Sequence, residues 1–225
     1  MDGGPGADAC VLVRVWLPDR PGALGAVASR IGAVRGDIVG IDVLERGEGV
    51  AIDEFGVVLP SSDLVSLLVR EIEQVDGCRV EHVSVVSHFP DPRLDALASV
   101  AVVCEAHDLA QLQAALAAYV GHAFRADWVA LVGDEQVLSS WKDPPPEPRL
   151  LALADGATRS PAVLSGAGQP EDLATAALPG RNTILLVGRS PNGFRDRERA
   201  QLLALARIAD HLWDRLDRMT HAAVS

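Results

Sequence analysis

Alternating apolar and polar positions near the start of the chain predict a buried strand that leads directly into a helix. Val11, Val13 and Val15 recur at every second position, which is the period of a strand with one buried face. The apolar positions then change to helical spacing and form one stripe: Leu24, Val27, Ala28, Ile31 and Val34. The pattern therefore predicts a strand, a sharp corner and a helix in immediate succession.

The corner between this strand and helix spans Asp19 to Leu24 and reads Asp-Arg-Pro-Gly-Ala-Leu. Pro21 is expected in the first helical turn, where a missing N–H costs no hydrogen bond, and Asp19 is placed to cap free backbone donors. Gly22 leaves the start of the helix without a covering side chain. A small anion such as a carboxylate can therefore approach the N–H groups and the positive end of the helix dipole.

The patterns that follow complete a small domain over residues 10–88. They predict strands at 38–44 and 50–59, joined by a glycine-bearing turn, then a helix at 64–75 and a strand at 79–86. The order is βαββαβ, which is that of a ferredoxin-like split sheet with both helices on one face. The first nine residues are predicted to be disordered.

Prolines at 89–93 predict a linker to a second domain at 94–218, followed by a tail at 219–225. In the second domain, the pattern predicts helices at 94–101 and 109–119, a hairpin at 128–141, a strand at 183–188 and a long final helix. The proline-rich stretch at 144–148 predicts an extended loop. Residues 149–178 carry no clear pattern.

Composition and charge narrow the classes of partner. The formal net charge of −11 argues against nucleic acid or an anionic membrane as the main partner, because both require a basic surface. Three widely spaced cysteines predict neither a disulfide framework nor a zinc cluster, which fits a reducing cytoplasm. We expect a cytoplasmic protein, because the chain shows neither a signal-peptide pattern nor an apolar run long enough to span a bilayer.

The corner from Asp19 to Leu24 resembles the signature of the ACT domain, a small amino-acid-binding regulatory module whose hallmark is a strand, a D/N-R-P-G-x-L corner and a helix. The resemblance covers residues 10–88 and implies an amino-acid ligand at the corner. The backbone N–H groups of Gly22, Ala23 and Leu24 would bind the ligand carboxylate, and Asp19 would bind its ammonium group. Helix capping alone remains the alternative role of Asp19.

The resemblance also implies a contribution from a second subunit. Asp37, just before Ile38, matches a polar position through which the neighbouring subunit touches the ligand in some ACT domains, although asparagine is frequent there. Two carboxylates would repel the carboxylate of an amino acid, so the ammonium group of a ligand must lie between them. The predicted ligand site is then a set of seven residues: Asp19, Pro21, Gly22, Ala23, Leu24, Asp37 and Ile38.

The end of the chain resembles the end of a GAF domain. The strand at 183–188, the Asn192-Gly193 turn and the long alanine- and leucine-rich helix carry this resemblance, which extends over residues 93–218. It implies an α/β domain with a central antiparallel sheet. The fold class is therefore α+β, with an N-terminal ferredoxin-like ACT domain followed by a GAF-like domain.

Neither half offers a recognisable catalytic constellation. The chain shows no Ser-His-Asp, paired-carboxylate or metal-ligand spacing, and Cys104, the one cysteine of the second half, lies in an apolar helical stretch where a thiol is usually inert. We expect a non-enzymatic, amino-acid-sensing regulatory protein without cofactor or metal, which forms a homo-oligomer and acts on a partner enzyme or regulator. The alternatives are a protein-interaction module without a small-molecule ligand and a regulatory subunit of a separate enzyme.

Overall fold

The structure is a computed structural model that describes residues 8–89, 91–160 and 172–224. It divides into two units, Met1–Pro90 and Asp91–Ser225. Most of the predicted disordered N-terminus lies outside the described residues, but Ala9 already belongs to the first strand. No described helix has both the length and the apolar character that crossing a membrane requires.

The first unit has the predicted βαββαβ order. Its elements are β1 (Ala9–Pro18), α1 (Ala23–Ala33), β2 (Asp37–Gly47), β3 (Val50–Leu59), a short 3-10 turn (Ser62–Leu64), α2 (Val65–Glu73) and β4 (Arg79–Val86). All neighbouring strands are antiparallel, and the sheet order is β2-β3-β1-β4. This arrangement is α+β and compatible with a ferredoxin-like fold, in which β2 and β4 form the two edges.

The core of this unit lies between one face of the sheet and the two helices. Val11, Val13 and Val15 of β1 are fully buried against Ile31 of α1 and Ile72 of α2. The two-residue period of the strand and the helical spacing of α1 and α2 direct these side chains to a single layer. Full burial of each such side chain contributes about 1.5–3 kcal/mol, which is what holds the helices on the sheet.

The opposite face of β1 carries polar contacts. The indole N–H of Trp16 donates to Oε1 of Glu81 on β4 at 3.1 Å, and the guanidinium of Arg79 lies 5.1 Å from the centre of the indole ring. Trp16 therefore links β1 to the edge strand β4 through a hydrogen bond and a cation–π contact.

A register shift in β2 changes which of its side chains face the helices. Val43 lies opposite Asp53 of β3, but Glu45 lies opposite Ile52 and Arg46 opposite Ala51. One residue of β2 is thus skipped, as in a β-bulge, which re-aims the side chains that follow. Arg46 consequently shares the helix-covered face with Val43, although simple alternation would put these two residues on opposite faces.

The second unit is built on another antiparallel four-stranded sheet, in the order β6-β5-β8-β7. Its elements are α3 (Pro92–Cys104), α4 (Leu109–Ala123), β5 (Trp128–Val132), β6 (Val137–Lys142), α5 (Glu147–Thr158), β7 (Leu173–Leu178), β8 (Thr183–Gly188) and α6 (Asp196–Val224). The predicted hairpin, the strand at 183–188 and the final helix are all present. The helix α6 continues through the predicted tail as far as Val224.

Helices cover both faces of this second sheet. Val129 and Leu131 of β5 pack in a core with α4 and α6, whereas Ala130 and Val132 of the same strand pack against α5. The proline-rich stretch ends in a helix and not in a loop, because α5 begins at Glu147 with Pro148 in its first turn, where proline is tolerated. Part of the stretch without a pattern, residues 161–171, lies outside the described residues.

Candidate functional site

A cavity of about 470 Å³ lies at the corner between β1 and α1. This volume falls in the range of about 300–1,000 Å³ that is typical of small-molecule sites. Four of the predicted site residues line it: Asp19, Pro21, Gly22 and Leu24. The remaining wall comes from Leu17, Pro18 and Arg20 of the same segment, Val43 and Arg46 of β2, and Ala51 and Asp53 of β3.

The start of α1 has no side-chain cap. The helix begins at Ala23, and Gly22 is its N-cap residue with φ of 89° in the left-handed region, which glycine adopts without strain. Pro21 therefore precedes the helix and does not lie in its first turn, contrary to our expectation. The N–H groups of Leu24 and Gly25 belong to the first turn, where a helix supplies no acceptor of its own. Gly22 and Leu24, at this uncapped helix start, form one side of the cavity.

The predicted capping role of Asp19 is wrong, because its carboxylate is engaged elsewhere. Arg46 donates from Nη2 to Oδ1 of Asp19 at 2.5 Å. The side chain of Arg46 is 64% exposed and that of Asp19 is 31% exposed, so this ion pair lies at the rim. The hydrogen bond and the charge of Asp19 raise the pKa of Arg46 above its ordinary value.

Asp53 is the buried charged group of the cavity. Only 4% of this residue is exposed, and its Oδ1 accepts no hydrogen bond from the described residues. Burial raises the pKa of the Asp53 carboxyl above its ordinary value; Arg46 nearby acts in the opposite direction, and the charge of Asp19 adds to the rise. A buried carboxylate oxygen without a donor is unfavourable, so this position attracts a cation or a hydrogen-bond donor.

The strand register explains why Asp53 lies here. Asp53 stands opposite Val15 of β1 on one side and Val43 of β2 on the other, so it shares the face that α1 and α2 cover. The alternation of Ala51, Asp53, Phe55 and Val57 on one face of β3 is visible in the sequence. This acidic residue within a buried apolar row was the signal that our sequence analysis missed. Arg46 had no such signal, because its direction depends on the register shift in β2.

The other predicted site residues lie outside the cavity wall. Ala23 is buried against Leu17 and Ala51 and serves as packing. Asp37 and Ile38 begin β2, whereas the cavity is lined from the other end of that strand. At roughly 3.3 Å per residue, Asp37 lies on the order of 20 Å from Val43 along β2. A contribution from Asp37 and Ile38 to this cavity therefore has to come from a second copy of the chain.

Leu24 also differs from its expected place. We expected it in the buried stripe of the first helix, but its side chain is 40% exposed and lines the cavity. Ala23, one position earlier, takes the buried place together with Val27 and Ile31. The stripe is thus rotated by one position at the start of α1, and Leu24 becomes an apolar wall of the cavity.

The cysteines and the other potential metal ligands form no metal-binding group in the described part of the chain. Among the described residues, no group of three or more His, Cys, Asp or Glu side chains is arranged to hold a metal ion. Burial raises the pKa of the Cys78 thiol above its ordinary value. Cys104 is exposed at the end of α3, so this thiol does not fill an apolar interior as we expected.

In the second unit, the buried Arg189 is fully engaged. Its five N–H groups donate to both carboxylate oxygens of Glu198 and to the carbonyl oxygens of Phe124, Asn192 and Gly193, at 2.7–2.9 Å. A guanidinium has only five such donors. Arg189 therefore ties the end of β8 to the start of α6 and has no donor left for a ligand.

No protein-family model and no curated protein sequence matches the chain.

Several solved structures are similar to it. The solution structure of the ACT domain from the GTP pyrophosphokinase of Chlorobium tepidum has 18% identity and a TM-score of 0.29, over 37% of this chain and 92% of that one. The C-terminal domain of the MgtC protein from Mycobacterium tuberculosis has 17% identity and a TM-score of 0.30, and the match covers 39% of this chain and 95% of that domain. An unknown protein from Galdieria sulphuraria has 13% identity and a TM-score of 0.33, and the match covers 92% of this chain and 94% of that one. At these TM-scores the similarities carry no argument about the site.

Proposed function

We propose that this chain is a non-enzymatic regulatory protein that senses an amino acid through the cavity between β1 and α1. The observation that carries the proposal is the pairing, in one cavity of about 470 Å³, of an uncapped helix start with the buried carboxylate of Asp53. A free amino acid carries one negative and one positive group a few bonds apart. The cavity offers a partner for each.

The start of α1 is the proposed site for the ligand carboxylate. Backbone N–H groups of the first turn and the positive end of the helix dipole both favour a negative group there, and such contacts are charge-assisted hydrogen bonds. Leu24 and Val43 supply apolar surface for a side chain. An amino acid with an aliphatic side chain fits these walls better than one with a charged side chain.

Regulation by such a ligand requires a second state that the ligand binds less well, and we propose a change of subunit arrangement. The edge strand β2 exposes Ile41 and Val43, at 40% and 43%, and offers backbone groups for pairing. Antiparallel pairing of two β2 strands inverts one against the other. Asp37 and Ile38 of the partner subunit would then approach the end of β2 that lines the cavity, which would link binding to assembly.

The same exposed edge favours the second candidate function, a module that assembles without a small-molecule ligand. The second unit, with helices on both faces of an antiparallel sheet, is proposed to be the GAF-like partner of the first in either case. The regulatory subunit of a separate enzyme would use the same two units. Binding of an amino acid is what distinguishes the first function from the second.

A thermal-shift screen of the twenty amino acids against the full chain tests the proposal. A ligand at ten times its Kd adds about 1.4 kcal/mol to folding stability and raises the melting temperature by about 3 °C or more. Leu24→Glu adds a carboxylate beside the proposed position of the ligand carboxylate and should abolish the shift. Leu97→Glu is the matched control, because Leu97 is also exposed, at 69%, but lies on α3 in the second unit. No shift with any amino acid at millimolar concentration would contradict the proposal.

A further inference from the structure

The corner cavity contains two aspartates, and they differ in availability. The carboxylate of Asp19 at the rim accepts a hydrogen bond from Arg46, which also neutralises its charge. Asp53 lies deeper, is 4% exposed, and has an oxygen, Oδ1, without a donor among the described residues. Of the two aspartates, only Asp53 therefore has a buried oxygen that lacks a hydrogen-bond donor among the described residues.

The requirement of this oxygen for a donor selects among ligand classes. A simple carboxylic acid would satisfy the start of α1 but would leave the oxygen of Asp53 without a donor and add a second negative charge nearby. A neutral apolar ligand would satisfy neither group. A metal ion needs more oxygen or nitrogen ligands than one buried carboxylate provides, and no group of three potential metal ligands occurs among the described residues. A primary ammonium carries three donors and a positive charge, and thus meets the requirement directly.

We infer that Asp53 is the specificity-determining residue of this cavity and binds the protonated amine of a ligand whose carboxylate lies at the start of α1. The ligand class is therefore that of compounds in which one carbon carries both a primary ammonium and a carboxylate, as in an α-amino acid. This inference rests on the proposed function and assigns the ammonium to Asp53, whereas the sequence resemblance assigned it to Asp19. Asp19 and Arg46 become a rim pair that need not open for the ligand to bind.

Ligand analogues test the inference on the unmodified full chain. Each amino acid that shifts the melting temperature is compared, by isothermal titration calorimetry, with its deaminated acid and its decarboxylated amine; for leucine these are 4-methylpentanoate and 3-methylbutylamine. We expect the deaminated acid to bind about ten- to a hundredfold more weakly than the amino acid, the effect of one charge-assisted contact. A deaminated acid that binds as tightly as its amino acid would overturn the inference and leave the proposed function standing.

Two matched variants locate the contact. Asp53→Asn keeps the shape and removes the charge, and should weaken binding of the amino acid about ten- to a hundredfold. Asp19→Asn makes the same chemical change at the rim and should change the affinity less than about threefold, within the range of exposed ion pairs. Asp42→Asn, on β2 but outside the cavity lining, is the control for a general effect of lost negative charge.

The outcomes separate the inference from the function on which it rests. Loss of binding in Asp19→Asn, alone or to the same extent as in Asp53→Asn, would overturn the assignment to Asp53 while amino-acid sensing stands. Absence of binding by every amino acid would overturn both. Circular dichroism establishes that each variant is folded, and if Asp53→Asn does not fold, the analogue comparison and the Asp19→Asn variant decide together.

Discussion

At the scale of single residues, the charges of the corner cavity fall into an exposed pair and a buried group that lacks a donor. The pair of Asp19 and Arg46 lies at the rim, where water screens it and its contribution to stability is small. Asp53 is buried and contributes unfavourably as long as its Oδ1 has no donor. A residue that lowers the folding stability of the free protein and gains a hydrogen-bond partner when a ligand binds is characteristic of a functional site.

Asp53 should make the stability of the free protein depend on pH. Because burial raises its pKa above the ordinary value of 3.8, folding favours the protonated form. This contribution is fully present below the unfolded pKa of about 3.9 and is lost as the pH rises through the raised folded pKa. Above that pKa the ionised carboxylate, with Asp19 as a like charge and Arg46 as an opposite one, is a net cost.

Asp53→Asn should therefore raise the free energy of unfolding at pH 7, in the absence of ligand, on the order of 1 kcal/mol. The difference between the variant and the unmodified chain should shrink as the pH falls and be smallest below the unfolded pKa of about 3.9, where the Asp53 carboxyl is protonated in the folded and in the unfolded chain. Urea denaturation at several pH values measures it. A difference that stays constant with pH would show that ionisation of Asp53 is not its cause.

At the scale of elements, the start of α1 depends on the left-handed conformation of Gly22. Gly22→Ala should lower the free energy of unfolding by about 1–2 kcal/mol, because an L-residue at φ of 89° is strained. The added methyl group would contact nothing within 4 Å. The loss of stability would therefore come from backbone strain alone. Denaturant unfolding gives the value.

Gly25→Ala, three positions later, is the matched control for Gly22→Ala. Its added methyl group also meets nothing within 4 Å, but Gly25 lies inside the helix with an ordinary φ. Alanine should stabilise this position by about 0.5–1 kcal/mol. Equal effects of the two substitutions would contradict the role given to the conformation of Gly22.

The first unit was predictable where the apolar period is unbroken. The alternation in β1 and the helical spacing in α2 lead directly to the buried residues Val13 and Ile72. The second unit was less predictable at 147–158 and 173–178, because the short apolar runs of alanine and leucine there do not distinguish a helix from a buried strand. The cavity was half predictable: its β1–α1 wall follows from the corner motif, whereas Arg46 depends on strand register, which local patterns do not specify.

At the scale of the whole molecule, the exposed edge of the first sheet predicts assembly. We expect a dimer or larger species by light scattering at micromolar concentration, formed through β2. Ile41→Lys should shift the mass to that of the monomer, because a charged side chain at a sheet edge opposes pairing. Ile41 is 40% exposed, so the substitution should leave the fold intact.

Val85→Lys is the matched control for this dimer. Val85 is 63% exposed on β4, the opposite edge of the same sheet. The mass should remain that of the dimer in this variant. A monomer in the unmodified chain, or dissociation by Val85→Lys and not by Ile41→Lys, would contradict assembly through β2.

Trp16 gives the first unit an optical signal of its own. The sequence has four tryptophans, and the other three, Trp128, Trp141 and Trp213, lie in the second unit. The fluorescence of Trp16 depends on its contacts with Glu81 and Arg79, which are lost when β1 and β4 separate. Subtracting the emission of a Trp16→Phe variant from that of the unmodified chain isolates the sheet that carries the cavity. Unfolding of the two units can then be followed separately in one intact chain, without a label.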